Sequence, residues 1–311
     1  MSPGLVMLER PRVMEFFAGI GGAARAFEGM ADVVAAIDIN QNAERVYRAN
    51  FDHPYIVKSI ESLSVSALTD WSADTWWLSA PCQPFTRRGQ RRGSQDLRSA
   101  ALKYLLRILV SHPPRHLLLE NVPGFESSGM RNELVMVLKA GGFHITELEI
   151  CPTVFGVPNR RVRYYLVASR DIHFEWSVTD VETRNLGEFL DQSAVEGSVL
   201  APAILERYQA GMNVVPRDAR ATNCFTAAYG RSMTRSGSFL EEHGRVRRFT
   251  PAEIARLLGF QNDEFGSSFI LPDSLSDRQL YKLLGNSISV TVVRMLARKF
   301  LGQLNGSRTV E

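Results

Sequence analysis

The chain has 311 residues, 45% hydrophobic and 22% charged, a balance ordinary for globular proteins that excludes extended disorder, collagen and coiled coil. Its 36 basic and 33 acidic residues leave a formal net charge of +3, so bulk charge announces neither a nucleic acid nor a membrane surface as partner. At roughly 100 to 200 residues per domain, the length implies one large domain or one large plus one small.

Residues 1–12, with Glu9, Pro3 and Pro11, lack the apolar core of a signal peptide. From Val13 to about Ser169, short apolar runs alternate with amphipathic stretches, the pattern of βαβ units in a mostly parallel sheet. Strands are predicted at Val13–Phe17, Val33–Ile37, Thr75–Ser79, His116–Glu120, Phe143–Ile150 and Val162–Ser169, and helices at Ala23–Met30, Asn42–Asn50, Arg98–Val110 and Met130–Ala140. After Ser169 the alternation fails, and Asp171 to Gly244 is polar and rich in Gly, Ser, Asn and Thr. Thr250-Pro251-Ala252-Glu253 reads as an N-cap, a first-turn proline and a capping-box partner, opening a helix that stops at Gly259. A last helix is predicted from Ile288 to Leu301, with residues 306–311 as a frayed tail. The chain thus divides into 11–170, a small irregular 171–247, and 248–303 returning to the first unit. No run approaches the roughly 18 apolar residues of a membrane span.

The three cysteines, Cys82, Cys151 and Cys224, stand far apart without a CxxC pair. That spacing argues against a disulfide framework and a metal site, and fits a reduced, cytoplasmic protein.

Chemistry gathers at the ends of the predicted strands. Phe17-Ala18-Gly19-Ile20-Gly21-Gly22 is a glycine turn between a buried strand and a helix, where backbone closely approaches a nucleotide-like ligand. Asp38, at the end of the second strand, is placed to accept from ribose hydroxyls. The spacing is G-x-G-G, so the dinucleotide pattern lacks its third glycine, and a dehydrogenase reading gives no role to the motifs that follow. Cys82 sits in Pro81-Cys82-Gln83-Pro84-Phe85-Thr86 after the third strand. Arg87, Arg88, Arg91 and Arg92 supply a positive field that favours thiolate. Glu120, in Glu120-Asn121-Val122-Pro123, brings a carboxylate to the same sheet edge, where capping a helix or pairing with an arginine is the bland alternative. Arg161 and Arg163, two apart on a strand, would point to one face. Arg245, Arg247 and Arg248 form a second basic run. Gly285-Asn286 could be a left-handed helix cap.

Taken in order, Phe16-Phe17-Ala18-Gly19-Ile20-Gly21-Gly22, Pro81-Cys82-Gln83, Glu120-Asn121-Val122, Asn159-Arg160-Arg161-Val162-Arg163 and Gly285-Asn286-Ser287 resemble the cytosine-5 methyltransferase family. The resemblance covers about Val13 to Ser169 and Arg248 to Leu301. It implies a Rossmann-like α/β sheet with a small irregular target-recognition domain, S-adenosylmethionine as methyl donor, and a nucleic acid as substrate. It makes Cys82 the nucleophile at C6 of the ring, Glu120 the group holding a proton at N3, and Arg161 and Arg163 the residues that steady the ring. It places Phe17, Gly19, Ile20 and Gly22 around the methionine and sugar, Asp38 on the ribose, Ile39 and Ile60 against adenine, and Pro81 near the methyl donor. Asn286 and Ser287 return to the amino-acid end.

A stacked base must leave the duplex or lie in a loop to react, and Gln83, Arg87, Arg88, Arg91, Arg92 and Thr226 are the expected nucleic-acid contacts. Asn159, Asn223-Cys224-Phe225-Thr226 and the Cys82 loop resemble the branch that methylates the anticodon loop of transfer RNA. DNA methylation of a restriction-modification type, or a binding relic without turnover, are the alternatives. Cys224 reads as a structural or substrate contact and Cys151 as an ordinary buried thiol, and a monomer is expected.

Overall fold

The computed structural model describes residues 9–81, 100–192, 198–262 and 264–308. Chain order begins β1 (Arg12–Phe16), α1 (Gly22–Phe27), β2 (Asp32–Asp38), α2 (Gln41–Arg48), β3 (Tyr55–Val57), α3 (Val65–Thr69) and β4 (Thr75–Leu78). It continues with α4 (Ala100–Ser111), β5 (His116–Asn121), α5 (Gly129–Ala140), β6 (His144–Ile150), β7 (Asn159–Arg160) and β8 (Arg163–Ser169). The remainder is α6 (Pro202–Tyr208), β9 (Val214–Pro216), β10 (Thr222–Asn223), β11 (Phe239–Glu242), β12 (Arg245–Arg248), α7 (Pro251–Leu258), α8 (Asp277–Asn286) and α9 (Val290–Arg308).

Seven strands form the main sheet in the order β3-β2-β1-β4-β5-β8-β6. The pairs from β3 to β5 are parallel, and β8 runs antiparallel between β5 and β6. From β1 the chain winds first toward β3 and later toward β5, so the switch point lies between β1 and β4, where open α/β sheets bind ligands beyond the strand carboxyl ends. Both faces are covered, and β5 is accordingly buried at all of His116, Leu117, Leu118, Leu119, Glu120 and Asn121. Leu117 and Leu119 join Leu105, Leu109 and Leu134 on one face, while Leu118 joins Val13, Trp77 and Val293 on the other. That second cluster continues without a break through Phe225, Tyr229 and Phe239, so the polar segment after Ser169 is anchored in the same core.

The expected strands and helices are present, with ends displaced by a few residues. Among the segments passed over are β3, of three residues, and α3, of five, both too short to show a period, and α8, opened by the Ser276–Gln279 capping box. The short β7, α6, β9, β10, β11 and β12 are passed over as well. The last helix runs to Arg308, beyond the expected Leu301, because Leu304 is buried in the core and carries the helix on. The capping box of Thr250 and Glu253 and the left-handed cap at Gly259 are present as expected. Gly285 and Asn286, by contrast, lie within α8 and form no left-handed cap.

The second basic run is also dismantled. Arg247 is 2% exposed and donates to both carboxylate oxygens of Glu253 at 2.8 Å, while Arg248 Nη2 turns to the Met233 sulfur at 3.5 Å. A buried bidentate pair of this kind fixes α7 against β12 and offers no charge to a ligand.

Candidate active site

At the switch point a cavity of about 960 Å³ opens along the carboxyl ends of β1, β2, β4 and β5. Its floor is the glycine turn. Phe17 and Gly19 both have positive φ, 58° and 54°, and a Cβ at Gly19 would meet nothing within 4 Å, so the backbone is bared toward the cavity. Gly21 caps α1 in the left-handed region, φ 86°. A Cβ on Gly22 would lie 2.6 Å from Ile288, so this glycine, with Ala23 and Ala26, gives the close helix packing that the missing third glycine supplies elsewhere.

Asp38 closes the far wall. Its Oδ2 accepts from Gly19 N at 2.8 Å and its Oδ1 from Asn40 N at 2.9 Å, which fixes turn and strand end together and leaves the carboxylate further acceptor capacity. Ile39, 68% exposed, presents bare apolar surface at the rim. Ile60 and Pro81 line the same space, as do Asn286 and Ser287 at the end of α8.

Below the turn lies Glu15, 1% exposed. Ala23 N donates to its Oε1 at 3.2 Å and Tyr47 Oη to its Oε2 at 3.2 Å; Tyr47 Oη also contacts His53 Nε2. Burial, against the opposing hydrogen bonds, pushes this carboxyl up to about 8. A carboxyl whose folded pKa is raised contributes stability in full below its unfolded value of about 4.5, and loses it as pH rises through about 8. Glu15→Gln is therefore expected to melt near the wild type at pH 5 and several degrees above it at pH 9, by calorimetry. Equal melting temperatures at the alkaline end would refute the buried charge.

The opposite wall carries Glu120, buried at the end of β5. Burial raises its pKa, against Arg163 and Arg161, and Arg163 Nε lies 3.3 Å from its Oε1. Asn121 Nδ2 donates to Ala80 O at 3.4 Å, tying β5 to the loop that leads to Cys82. Arg161 stands outside β8, in the link from β7, and is 3% exposed. Its Nη1 donates to Phe225 O at 3.0 Å, and its Nη2 to Gly285 O at 3.4 Å and to Ser287 O. This guanidinium staples the 224–226 segment to the end of α8. Gly285 permits the approach, since a Cβ there would lie 2.2 Å from the Thr226 carbonyl carbon.

One cavity thus gathers Phe17, Gly19, Ile20, Gly22, Asp38 and Ile39 with Ile60, Pro81, Asn286 and Ser287, and also Glu120, Arg161 and Arg163. Thr226 is not among the residues that line it, although its chain neighbour Ala227 is. Cys82, Gln83, Arg87, Arg88, Arg91 and Arg92 lie outside the described residues. Sequence reasoning missed Glu15, whose signal was a lone charge in the apolar run Val13-Met14-Glu15-Phe16-Phe17. It also missed Lys282 and Arg231 at the mouth, which no motif marks.

The model of the C-5 cytosine-specific DNA methylase family matches residues 11–199 and 203–302. The chain is 32% identical to a tRNA (cytosine(38)-C(5))-methyltransferase of Schizosaccharomyces pombe, covering 97% of this chain and 100% of that protein. It is 30% identical to the tRNA (cytosine(38)-C(5))-methyltransferase of Homo sapiens, over 94% and 99% of the two chains. Among solved structures, the Entamoeba histolytica methyltransferase EhMeth superposes with a TM-score of 0.88 at 27% identity, over 95% of this chain and 99% of that one. With nearly the whole chain matched and described residues of each motif gathered round one cavity, the protein belongs to the C-5 cytosine-specific DNA methylase family.

Proposed function

We propose that the protein transfers a methyl group to C5 of a cytosine in transfer RNA, through a covalent adduct between Cys82 and C6 of the ring. The observation that carries the reading is the meeting of Glu120 and Arg163 at 3.3 Å in the wall of the cavity that the glycine turn floors. The cavity residues fit S-adenosylmethionine. Gly19 leaves backbone accessible, Ile39 offers an apolar face for adenine, Asp38 retains acceptor capacity for the ribose, and Glu15 contacts only neutral donors, which favours a cationic ligand. When bound, that cofactor supplies the methyl group on an electrophilic sulfonium.

Cytosine C5 is a weak nucleophile until a thiolate adds at C6. Cys82 makes that bond. Glu120, whose pKa burial raises against the two arginines, holds a proton at N3 so that the ring nitrogen never bears a full negative charge. Arg163 is a planar donor beside the carboxyl and steadies the ring edge. Arg161 has its Nη donors on protein carbonyls and positions the 224–226 segment. Loss of the C5 proton and of Cys82 then restores the aromatic base.

Transfer RNA is favoured over duplex DNA by the 32% and 30% identity to the two tRNA (cytosine(38)-C(5))-methyltransferases and by the Asn223-Cys224-Phe225-Thr226 segment beside Arg161 and Arg163. The small 171–247 segment, read as the target-recognition unit, also leaves limited room to read a major groove. The expected partner is a folded RNA gripped by Lys282, Arg231 and the arginines after Cys82, and the expected setting is a monomer in a reducing cytoplasm. With labelled cofactor, purified transfer RNA is expected to take up methyl groups and duplex DNA to stay unlabelled. Labelling of DNA alone would overturn the reading.

Cofactor affinity should depend on pH through Glu15. A cationic ligand favours the ionised carboxylate, so binding near pH 7 releases a proton and tightens as pH rises toward 8. Calorimetry in buffers of different ionisation enthalpy is expected to detect proton release that Glu15→Gln abolishes; equal heats for both proteins would refute the linkage.

A further inference from the structure

Cys224 is the point at which the two site arginines meet. Its Sγ lies 3.2 Å from Arg161 Nη1 and 3.6 Å from Arg163 Nη2, and Arg163 reaches Glu120 Oε1 at 3.3 Å with its Nε. The four groups form a chain, Arg161 to Cys224 to Arg163 to Glu120, of which the two arginines and Glu120 line the cavity. Two guanidiniums are permanently positive. Glu120 balances one of them when ionised and neither when it holds the proton that addition at C6 requires.

A thiol is a poor neighbour for two inward-pointing cationic donors. The acceptor nearest the sulfur as a donor is Phe225 O at 3.6 Å, and that oxygen already takes Arg161 Nη1 at 3.0 Å. Both guanidiniums aim at the sulfur, which therefore accepts. Among the described residues, the further titratable group acting on the pair is Tyr165 on β8, a phenol that burial keeps neutral, and no acid other than Glu120 on β5 faces them.

We propose that Cys224 is a positioning residue that carries the missing negative charge as a thiolate, holding Arg161 and Arg163 in place and leaving Glu120 free to keep its proton. The proposal rests on the reading of Glu120 as the group at N3. Burial alone would raise the thiol's pKa, and the two arginines override burial and bring it below the ordinary thiol range. The sequence signal is a cysteine beside a buried phenylalanine in Asn223-Cys224-Phe225-Thr226, where it reads equally well as filler. Only the convergence of two arginines separates the readings.

Two measurements test the proposal independently. In full-length protein carrying Cys82→Ala and Cys151→Ser, Cys224 is the one remaining cysteine, and its alkylation by iodoacetamide is followed against pH. A midpoint below the usual value of about 8.5 is expected, whereas a midpoint at or above it overturns the thiolate whatever Glu120 does. In protein that retains Cys82, Cys224→Ser exposes Glu120 to two uncompensated cations. The alkaline limb of its kcat profile, where Glu120 loses its proton, is expected to move about one unit toward acid. Cys224→Asp, which restores the charge, should move it back. A Cys224→Ser profile superimposable on the wild type overturns the positioning role. Full activity of Glu120→Gln, beside a low alkylation midpoint, would overturn the Glu120 reading and leave the thiolate standing.

Discussion

Glu120→Gln is expected to slow methyl transfer to transfer RNA by about 10² to 10⁴-fold while leaving cofactor affinity nearly unchanged. Glutamine preserves the volume at the end of β5 and can still hydrogen-bond the ring, but it cannot hold a mobile proton at N3. The adduct must then form with negative charge building on the ring in a buried wall, where such charge is least tolerated. The effect should appear in kcat measured by single turnover, with KM for RNA little altered, because the lost interaction belongs to the transition state. Cys82→Ala marks the limit of the same series. With nothing to add at C6, it should give neither product nor a covalent protein–RNA species on a denaturing gel. A Glu120→Gln protein with wild-type kcat would remove the carboxyl from the mechanism.

Gly285→Ala is expected to be the most damaging single methyl group in the described fold. The added Cβ would stand 2.2 Å from Thr226 C, 2.3 Å from Ala227 N and 2.4 Å from Thr226 O. All three are backbone atoms, so no rotamer relieves the clash and either α8 or the 226–227 segment must withdraw. Overpacking of this kind costs about 3 kcal/mol or more. It also pulls apart the carbonyls of Phe225, Gly285 and Ser287 that Arg161 joins, so cofactor affinity and transfer should fall together with the melting temperature. Gly302→Ala in α9, where a Cβ meets nothing within 4 Å, serves as control and should be neutral or slightly stabilising. Equal melting temperatures for the two variants would refute the close approach.

The sheet was legible because its strands are buried on both faces and read as apolar runs, with Trp76 and Trp77 or Leu117, Leu118 and Leu119 filling opposite sides in turn. The glycine turn was legible from φ constraints that glycine meets best. Other features depend on contacts distant in sequence. Gly285 reads as a helix cap until the backbone of Thr226 is found against it. Arg161 reads as one of a pair facing a base until its donors are found on the carbonyls of Phe225, Gly285 and Ser287. Arg247 reads as surface charge until Glu253 covers it. Each was misread or left open for one reason: the partner that assigns its role lies on another element.

The packing of the last helix over the first sets an order on synthesis. Arg294 in α9 donates to Ala26 O at 3.1 Å and to Glu28 O at 3.0 Å, and every residue of α1 is buried. A chain emerging from the ribosome exposes Ala23, Ala26 and Phe27 while nearly all the rest is still to be made. The glycine turn therefore remains without its cover until the carboxyl end arrives, and the nascent protein has an interval in which a chaperone or a protease can compete with its own final helix.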